Sequence, residues 1–304
     1  MLSEDADRYI ALRRTLGYKL RKAARHLQSF AGFALERGEN HIRTATAVAW
    51  SATASTQGAR HRRLMDVAQF ARFLHVEDAG HEVPVANLFA VRTTRPIPYI
   101  YSQDEIARIL DVAAKLRQQS NSLRHELYVM LFGLIAATGL RISEALALRL
   151  GDVLPGGVLH IHKTKFGKSR LVPLHETVVV ALDRYLHVRR HLAGTSDLLF
   201  PSIKQKVLSA DTVNHAFRSI LRRANIAPDR PRSPRIHDLR HTFATRVLEQ
   251  CGAERSAVAR HFVALATYLG HANIQNTYWY LQATPDLMTD IAAAAEALVG
   301  RAGQ

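Results

Sequence analysis

The chain has a single cysteine, Cys251, among its 304 residues. One cysteine excludes an intrachain disulfide and any cysteine-rich zinc site, and it is compatible with a reducing cytosol. Residues Met1–Asp5 lack the pattern of a signal peptide, so we expect a cytoplasmic protein. The longest apolar run, Leu127–Leu140, is too short to span a membrane and is typical of a buried core helix.

The sequence also lacks the motifs of three common kinds of active site. It has no dense carboxylate cluster of the kind that holds two magnesium ions. It has no glycine-rich loop ending in Lys-Ser/Thr for ATP, and no Gly-x-Ser-x-Gly elbow for a nucleophilic serine. These absences favour a transesterification without cofactors, so we expect no metal and no ATP.

Acidic residues are the minority among the charged ones. Asp and Glu total 26 against 41 Lys and Arg, which gives a formal net charge of +15. Such a balance predicts a polyanionic partner, and nucleic acid is the commonest polyanion. The alternative is a basic soluble protein without such a partner.

Two helical segments concentrate this positive charge near the start of the chain. Apolar residues recur at helical spacing over Asp5–Leu35 and over His61–Leu74, which predicts one helix in each. Their polar faces carry many cations and few acids, which favours a surface that faces phosphates over a merely solvated one. The predicted DNA-binding residues here are Arg13, Arg14, Lys19, Arg21, Lys22, Arg25, Arg60, Arg62 and Arg63.

The segment Val91–Pro98 has two prolines, two arginines and no periodicity, so it is predicted to be a linker. After it, Ser102 and Glu105 predict a capping box at a helix start. We expect helices at about 103–117, 124–138 and 211–224, the last carrying the candidate DNA-binding residues Arg218, Arg222 and Arg223. The predicted domains are a helical DNA-binding domain over 1–90, a linker over 91–98 and a second domain over 99–304.

One hairpin interrupts the helical pattern. Val158–His162 and Arg170–Leu174 are predicted strands, joined by a turn that contains Gly167. The chain is therefore predicted to be mainly α with a small β-sheet. A lysine at the tip could enter a DNA groove and protonate a leaving oxygen, or all could simply be solvated; the candidates are Lys163, Lys165 and Lys168.

Four short motifs follow one another at wide spacing in the second part of the chain. They are Thr138–Glu144 with Arg141, His237–His241 with Arg240, Leu269–His271, and Tyr280. Two guanidinium groups can clamp one phosphate, and imidazoles can move protons near neutral pH. A tyrosine hydroxyl can attack phosphorus and hold it covalently. This order of residues predicts a phosphoryl-transfer site.

Each of these residues, taken singly, has a simpler explanation. Arg141 and Arg240 could form structural salt bridges. The chain has 16 histidines, so any one of them is weak evidence. Tyr278 and Tyr280 are two positions apart and point in different directions on a helix, so we expect only one to reach the phosphate.

The motifs resemble those of the tyrosine recombinases, also called the phage-integrase family of site-specific recombinases. Ala137–Glu144 resembles the first arginine box, with Glu144 at the family's acidic position, and Lys165–Leu174 resembles the β-hairpin box. His237–Thr245 and Leu269–His271 resemble the second and third boxes. The resemblance covers essentially the whole chain.

This resemblance assigns roles within the boxes. It favours Lys165 over its rivals because the first lysine of the hairpin box is catalytic. It favours Tyr280 over Tyr278 because the nucleophile lies nine positions after the third-box histidine. The implied catalytic residues are Arg141, Lys165, His237, Arg240, His271 and the nucleophile Tyr280, with Glu144 and His241 in support and Lys163 and Lys168 on DNA.

The resemblance also implies a fold and a reaction. The fold would be a helical, SAM-like core-binding domain and a mixed α/β catalytic domain, together forming a C-shaped clamp on DNA. The protein, a monomer or weak oligomer when free, would form a tetramer that synapses two recombination sites. Strands would be exchanged through a 3′-phosphotyrosyl link and a Holliday junction, and accessory DNA-bending or directionality proteins are further expected partners.

Two segments add detail to the resemblance. The stretch between Arg240 and His271 is longer than in most members, which predicts an extra turn or helix before His271. The ending Thr277–Met288 resembles members found with transposons and other mobile elements. Met288–Val299 is predicted to be an apolar helix that packs on its own subunit or docks on a neighbour.

Two other functions remain open at this point. A type IB topoisomerase or hairpin telomere resolvase would use the same residues but rejoin strands without exchanging partners; the short chain and small N-terminal domain favour recombination. A protein of this fold that only binds DNA as a regulator would need no chemistry. The presence of a suitable residue at every predicted catalytic position argues against that second alternative.

Overall fold

The computed structural model describes residues 1–90, 97–116, 123–162, 169–192, 194–250 and 255–270. The chain divides into two compact units, Met1–Arg95 and Pro96–Gln304. The described part of the first unit is helical, and that of the second combines helices with a small sheet. This confirms the prediction of a mainly α fold with a small β-sheet. No helix in the described residues is both long enough and apolar enough to span a membrane.

The first unit is built on helices α1 (Leu2–Thr15), α2 (Arg21–Leu35), α3 (Thr44–Ala52) and α4 (Gln57–Glu77). Most of the apolar residues that recur along these helices face inward and fill one core, because burial of an apolar stripe is what stabilises an amphipathic helix. Leu12 and Leu35 are exceptions with exposed side chains. Phe30 and Trp50 meet edge to face in that core, with ring centroids 5.5 Å apart. Residues 91–96 of the predicted linker lie outside the described residues.

The single helix predicted over Asp5–Leu35 is wrong, because the chain breaks there into α1 and α2. Gly17 has a φ of +86° and Leu20 a φ of +39°, so the backbone passes through left-handed conformations between the helices. The amide of Tyr18 donates to Arg13 O at 3.1 Å and closes the end of α1. The apolar spacing continues across this break, which is why periodicity alone indicates one helix.

The second unit contains the described helices α5 (Gln103–Ala114), α6 (Arg124–Thr138), α7 (Ile142–Ala145), α8 (Glu176–Leu192), α9 (Ala210–Arg223), α10 (Ile236–Glu249) and α11 (Arg255–Leu269). The predicted capping box is confirmed: Ser102 Oγ accepts from the Glu105 amide at 3.0 Å, and Glu105 Oε2 accepts from the Ser102 amide at 2.9 Å. Helix α6 packs against α5, α8 and α10, so its apolar run is buried on most sides. Helix α11 is the helix predicted before His271.

Three short strands form an antiparallel sheet in the order β1 (Val153–Leu154), β2 (Val158–Ile161) and β3 (Arg170–Pro173). Strands β2 and β3 pair as the predicted hairpin, with Val158 opposite Pro173 and Ile161 opposite Arg170. Strand β1 was not predicted, because two residues are too few to show an alternation. The tip of the hairpin, residues 163–168, lies outside the described residues.

Candidate active site

Arg141 is placed by the turn that ends α6. Gly139 closes that helix with a φ of +62°, and a side chain on it would come within 2.7 Å of Phe243 and 2.8 Å of Leu269. Only glycine suits both the left-handed backbone and this close approach. Arg141 follows as the N-cap of α7, and its side chain reaches the carboxyl end of α11.

Arg240 is one of the most deeply buried side chains in the described residues, with 1% of its surface exposed. It belongs to α10, which packs against α6. Its Nη1 donates to Gly139 O at 2.6 Å, and its Nη2 donates to Leu269 O at 2.8 Å. Burying a charge is costly unless it is hydrogen-bonded, and these two carbonyls hold the guanidinium in one orientation.

The two arginines meet at the carboxyl end of α11. Arg141 Nη2 donates to Gly270 O at 3.2 Å. Arg141 Nη1 lies 3.5 Å from Leu269 O, the same carbonyl that accepts from Arg240. The last carbonyls of a helix have no partner within it and carry partial negative charge, so they attract cations. Two guanidinium groups therefore converge on the backbone that immediately precedes His271.

Glu144 is the buried carboxylate of this cluster. Its Oε1 accepts from Arg141 Nη1 at 2.7 Å, and its Oε2 accepts from Arg170 Nη2 at 2.8 Å. Burial raises the pKa of the Glu144 carboxyl. The hydrogen bond and charge of Arg170, together with the hydrogen bonds from the side chain and backbone of Arg141, outweigh burial and lower that pKa below its usual value. The carboxylate is therefore ionised at neutral pH and holds two guanidinium groups at once.

His237 and His241 lie one turn apart on α10, and their rings meet edge to face with centroids 4.6 Å apart. The surrounding protein desolvates the His237 ring, and the positive charge of Arg240 acts in the same direction, so the pKa of His237 falls to about 4. His237 nevertheless keeps exposed surface, through which an anion can approach it. Its imidazole is neutral at pH 7 and can accept a proton on one nitrogen.

The first residues of the second unit fix α10 in place. The amide of Tyr101 donates to Thr242 Oγ1 at 2.9 Å, and Arg246 Nη2 donates to Tyr101 O at 2.8 Å. The Tyr101 hydroxyl donates to Arg235 O at 3.2 Å, just before α10 begins. These bonds span three turns of α10, so the helix that carries His237 and Arg240 is held along its length.

The structure thus brings together five of the predicted site residues, namely Arg141, Glu144, His237, Arg240 and His241. The remaining candidates fall outside the described residues: Lys163, Lys165, Lys168, His271, Tyr278 and Tyr280. The predicted helix over Met288–Val299 also falls outside them. Their roles stay predictions.

The cations predicted to bind DNA differ in their surroundings. Those with exposed side chains are Arg14, Lys19, Arg21, Lys22, Arg25, Arg62, Arg218, Arg222 and Arg223. Arg60 donates to a backbone carbonyl at 2.8 Å, and Arg63 donates to Thr53 Oγ1 at 2.7 Å. The Arg13 guanidinium lies 4.0 Å from the centre of the Tyr18 ring. These last three arginines have partners within the first unit, which makes a structural role sufficient to explain them.

Arg170 also belongs to the buried cluster, although it was not among the predicted site residues. It begins β3, and its side chain is 10% exposed. Residues two apart in a strand share a face, so Arg170 lies in phase with the buried Val172. That position on the strand could have identified Arg170 from the sequence, because an arginine on the core face of a strand needs buried partners.

One group of described residues has ligand atoms close enough to hold a cation. His41, Asp78 and His81, all in the first unit, place such atoms within 4.8 Å of one another. However, His41 Nε2 is hydrogen-bonded to Asp78 Oδ2 at 2.9 Å, and His81 Nδ1 accepts from the Ile42 amide at 3.1 Å. A neutral imidazole that accepts on one nitrogen carries its proton on the other, so His81 is engaged with the loop rather than prepared as a ligand.

The sequence of this chain is similar to a known protein family and to individual known proteins. Residues 100–286 match the model of the phage integrase family. The chain is 38% identical over 292 residues to y4rB of Sinorhizobium fredii, named as an integrase/recombinase, and the match covers 93% of each chain. It is 36% identical over 226 residues to the tyrosine recombinase XerD of Caulobacter vibrioides, covering 72% of this chain and 68% of that one.

Two solved structures share the fold at low sequence identity. The Tn1549 transposon integrase in complex with transposon right end DNA superposes with a TM-score of 0.68 at 17% identity, covering 98% of this chain and 99% of that one. A lambda integrase tetramer bound to a Holliday junction gives a TM-score of 0.62 at 18% identity, covering 91% of this chain and 76% of that one.

Proposed function

Because this chain belongs to the phage integrase family of tyrosine recombinases, a class of DNA strand-transfer enzymes, we propose that it recombines double-stranded DNA at specific sites. In this proposal the protein cuts a strand, holds it through a 3′-phosphotyrosyl bond, and rejoins it to a partner strand. The transposon integrase among the structural neighbours supports a natural role in a mobile element.

The observation on which the proposal rests is the meeting of Arg141 and Arg240 at the end of α11. Displacement at a phosphodiester spreads negative charge over the non-bridging oxygens, and pre-oriented cations stabilise that charge without having to move. A guanidinium has five N–H donors in a fixed planar arrangement, so one arginine can bind protein carbonyls and phosphate oxygens at the same time. The side chain of Arg141 is 25% exposed, which leaves the pair open to a phosphate on one side.

We assign the bond-making step to Tyr280. Its hydroxyl oxygen forms a bond to phosphorus while the bond from phosphorus to the 5′ oxygen breaks. Lys165 donates a proton to that leaving oxygen. His237 and His271 bind the phosphate, and an imidazole of this pair accepts the proton that the tyrosine hydroxyl loses. The ester stores the energy of the broken bond, so resealing requires neither a metal ion nor ATP.

Strand exchange follows when the free 5′ hydroxyl of one site attacks the phosphotyrosyl bond of the other. Two such exchanges pass through a Holliday junction and require four active sites, so the assembly we propose on DNA is a tetramer. The lambda integrase tetramer on a Holliday junction, a neighbour of the same fold, supports this assembly. In this proposal residues 1–90 and 99–304 are two DNA-contacting domains, joined by the linker 91–98.

Covalent trapping tests the chemistry. The full chain is incubated in EDTA with nicked duplexes taken from the DNA that flanks its gene, and adducts are resolved on a denaturing gel. We expect a protein–DNA adduct with the wild type and with Tyr278→Phe. With Tyr280→Phe we expect a loss on the order of 10⁴-fold or more, because removal of a nucleophile has effects of that size.

Other outcomes would change the assignment. Binding of DNA without an adduct on every segment tried would contradict the proposal and favour a DNA-binding regulator. An adduct that survives in Tyr280→Phe and disappears in Tyr278→Phe would move the nucleophile to Tyr278. If a substrate with two sites is cut and resealed without exchange of partners, the enzyme is a topoisomerase or resolvase rather than a recombinase.

A further inference from the structure

Arg170 joins three elements through one guanidinium group. Its Nη2 and Nη1 donate to the two carboxylate oxygens of Glu144, at 2.8 Å and 3.2 Å. Its Nε donates to Tyr268 O in the last turn of α11 at 2.7 Å. Glu144 in turn holds Arg141. The side chain that begins β3 therefore connects the carboxylate of α7 to the carboxyl end of α11.

Gly270 has no side chain, and this leaves room for the guanidinium group of Arg170. A Cβ atom on residue 270 would lie 2.9 Å from Arg170 Nη1 and 3.1 Å from its Cζ, and the φ of +67° also disfavours any other residue. A free arginine could move aside, but this one is fixed by Glu144 at one end and by Tyr268 O at the other. The glycine before His271 and the arginine of β3 are thus complementary.

A second contact reinforces the same junction. The Tyr268 hydroxyl donates to Pro173 O at 3.1 Å, so the last turn of α11 is tied to both ends of β3. Burial raises the pKa of the Tyr268 hydroxyl to about 12, which keeps it protonated as a donor at neutral pH. Strand β3 follows the hairpin tip that contains Lys165, so one short strand links that tip to the backbone entering His271.

We propose that Arg170 is a positioning residue for strand cleavage, which locks the end of α11 against Glu144 and so sets the backbone that enters His271. The inference rests on the proposed recombinase function and adds a residue to it. Arg170 acts through Glu144, Arg141 and the α11 carbonyls. Its removal is expected to misplace the groups that act on phosphate rather than to remove one of them.

The test compares Arg170→Lys with the matched control Arg184→Lys, an exposed arginine of α8. Lysine keeps the charge but cannot donate to Glu144 and Tyr268 O together. In single-turnover trapping on nicked DNA, we expect the rate constant for adduct formation to fall roughly 10- to 100-fold in Arg170→Lys, because small misplacements cost about that much. DNA affinity and the control should match the wild type.

Gly270→Ala provides an independent arm. We expect it to slow adduct formation as Arg170→Lys does, because the new methyl group displaces the guanidinium. The double variant should be slower than either single variant by much less than the product of their effects, since both break one junction. Independent, multiplicative effects would overturn the proposal.

Hydrogen exchange without DNA separates this inference from the function on which it rests. Peptides that cover the end of α11 should exchange faster in Arg170→Lys than in the wild type or Arg184→Lys, whether or not any adduct forms. If the wild type gives no adduct, the recombinase function fails while exchange still reports on the junction. Wild-type exchange in Arg170→Lys would overturn the positioning role, even with slow cleavage, because Arg170 would then act by touching DNA.

Discussion

At the scale of single residues, the site depends on how each charge is held. All three arginines donate to backbone carbonyls, and Arg141 and Arg170 also share the carboxylate of Glu144. Carbonyl dipoles neutralise a cation less completely than a carboxylate does. The cluster therefore stays electropositive in the folded protein, which suits it to stabilise an incoming anion.

Neutralising Glu144 should affect both the stability of the protein and the rate of adduct formation. We expect Glu144→Gln to lower the free energy of unfolding by about 3 kcal/mol at pH 7, because the change leaves two guanidinium groups without their buried carboxylate. Adduct formation should slow as well, since Arg141 loses an anchor. Urea unfolding followed by circular dichroism measures the first effect, and single-turnover trapping measures the second.

The difference in free energy of unfolding between the wild type and Glu144→Gln should depend on pH. The pKa of Glu144 is lowered in the folded state, so its ionised form contributes stability above the ordinary value of 4.5 and loses it as the pH falls below that value. The wild type and Glu144→Gln should therefore converge in stability at acidic pH. The exposed Glu249→Gln, at the end of α10, should track the wild type; a constant gap between wild type and Glu144→Gln would show that charge is not the cause.

At the scale of elements, the site forms where helix ends meet. Helix α6 ends just before Gly139, α7 begins after Arg141, and α11 ends just before Gly270. Unsatisfied backbone carbonyls occur at the carboxyl ends of helices, and here they accept from Arg141, Arg170 and Arg240. The burial of α6 thus has a consequence for function, because it places one of these ends beside α10.

Substitution of Gly139 tests how much the close packing of these helix ends contributes to stability. We expect Gly139→Ala to destabilise the protein more than Gly156→Ala does, although both glycines have positive φ values. Gly156 has open space around it, so alanine there should cost only the left-handed penalty of about 1 kcal/mol. Alanine at 139 would also collide with Phe243 and Leu269, adding about 1–3 kcal/mol from overpacking.

The comparison is made by urea unfolding of both variants beside the wild type. Because Gly139 O accepts from Arg240, Gly139→Ala should also slow adduct formation, while Gly156→Ala should not. Equal losses of stability in the two variants would mean that the collision at 139 is relieved by movement of neighbouring side chains.

At the scale of the whole molecule, the chain has 41 basic and 26 acidic residues, and basic residues are in excess in both units. In the second unit, the cations of α9 have exposed side chains and are therefore able to contact phosphates. Contacts to the phosphate backbone raise affinity for any DNA sequence and make it depend on salt.

Salt dependence measures how many such contacts form. We expect replacement of Arg218, Arg222 and Arg223 by alanine to weaken DNA binding and to reduce the slope of log affinity against log salt concentration by about 2–3. Fluorescence anisotropy with a labelled duplex gives both quantities. The control is Arg8→Ala, whose guanidinium is paired with Glu77 and Asp5 and should leave the slope unchanged.

The sequence by itself determined the class of this protein and most of its elements. Helical periodicity, the Ser102–Glu105 capping box and the β2–β3 hairpin are local patterns, so they can be recognised within one stretch of chain. The order of Arg141, the His237–Arg240 motif, His271 and Tyr280 indicated phosphoryl transfer, because that chemistry restricts which residues can appear together. The resemblance of the surrounding motifs to the boxes of tyrosine recombinases indicated the family.

Only the tertiary structure decided how those residues are held. The break between α1 and α2 depends on backbone conformation at Gly17 and Leu20, which the apolar spacing does not report. The bonds from Arg141 to Gly270 O and from Arg170 to Tyr268 O join residues 129 and 98 positions apart. Such contacts arise from the packing of whole elements, so no local pattern in the chain predicts them.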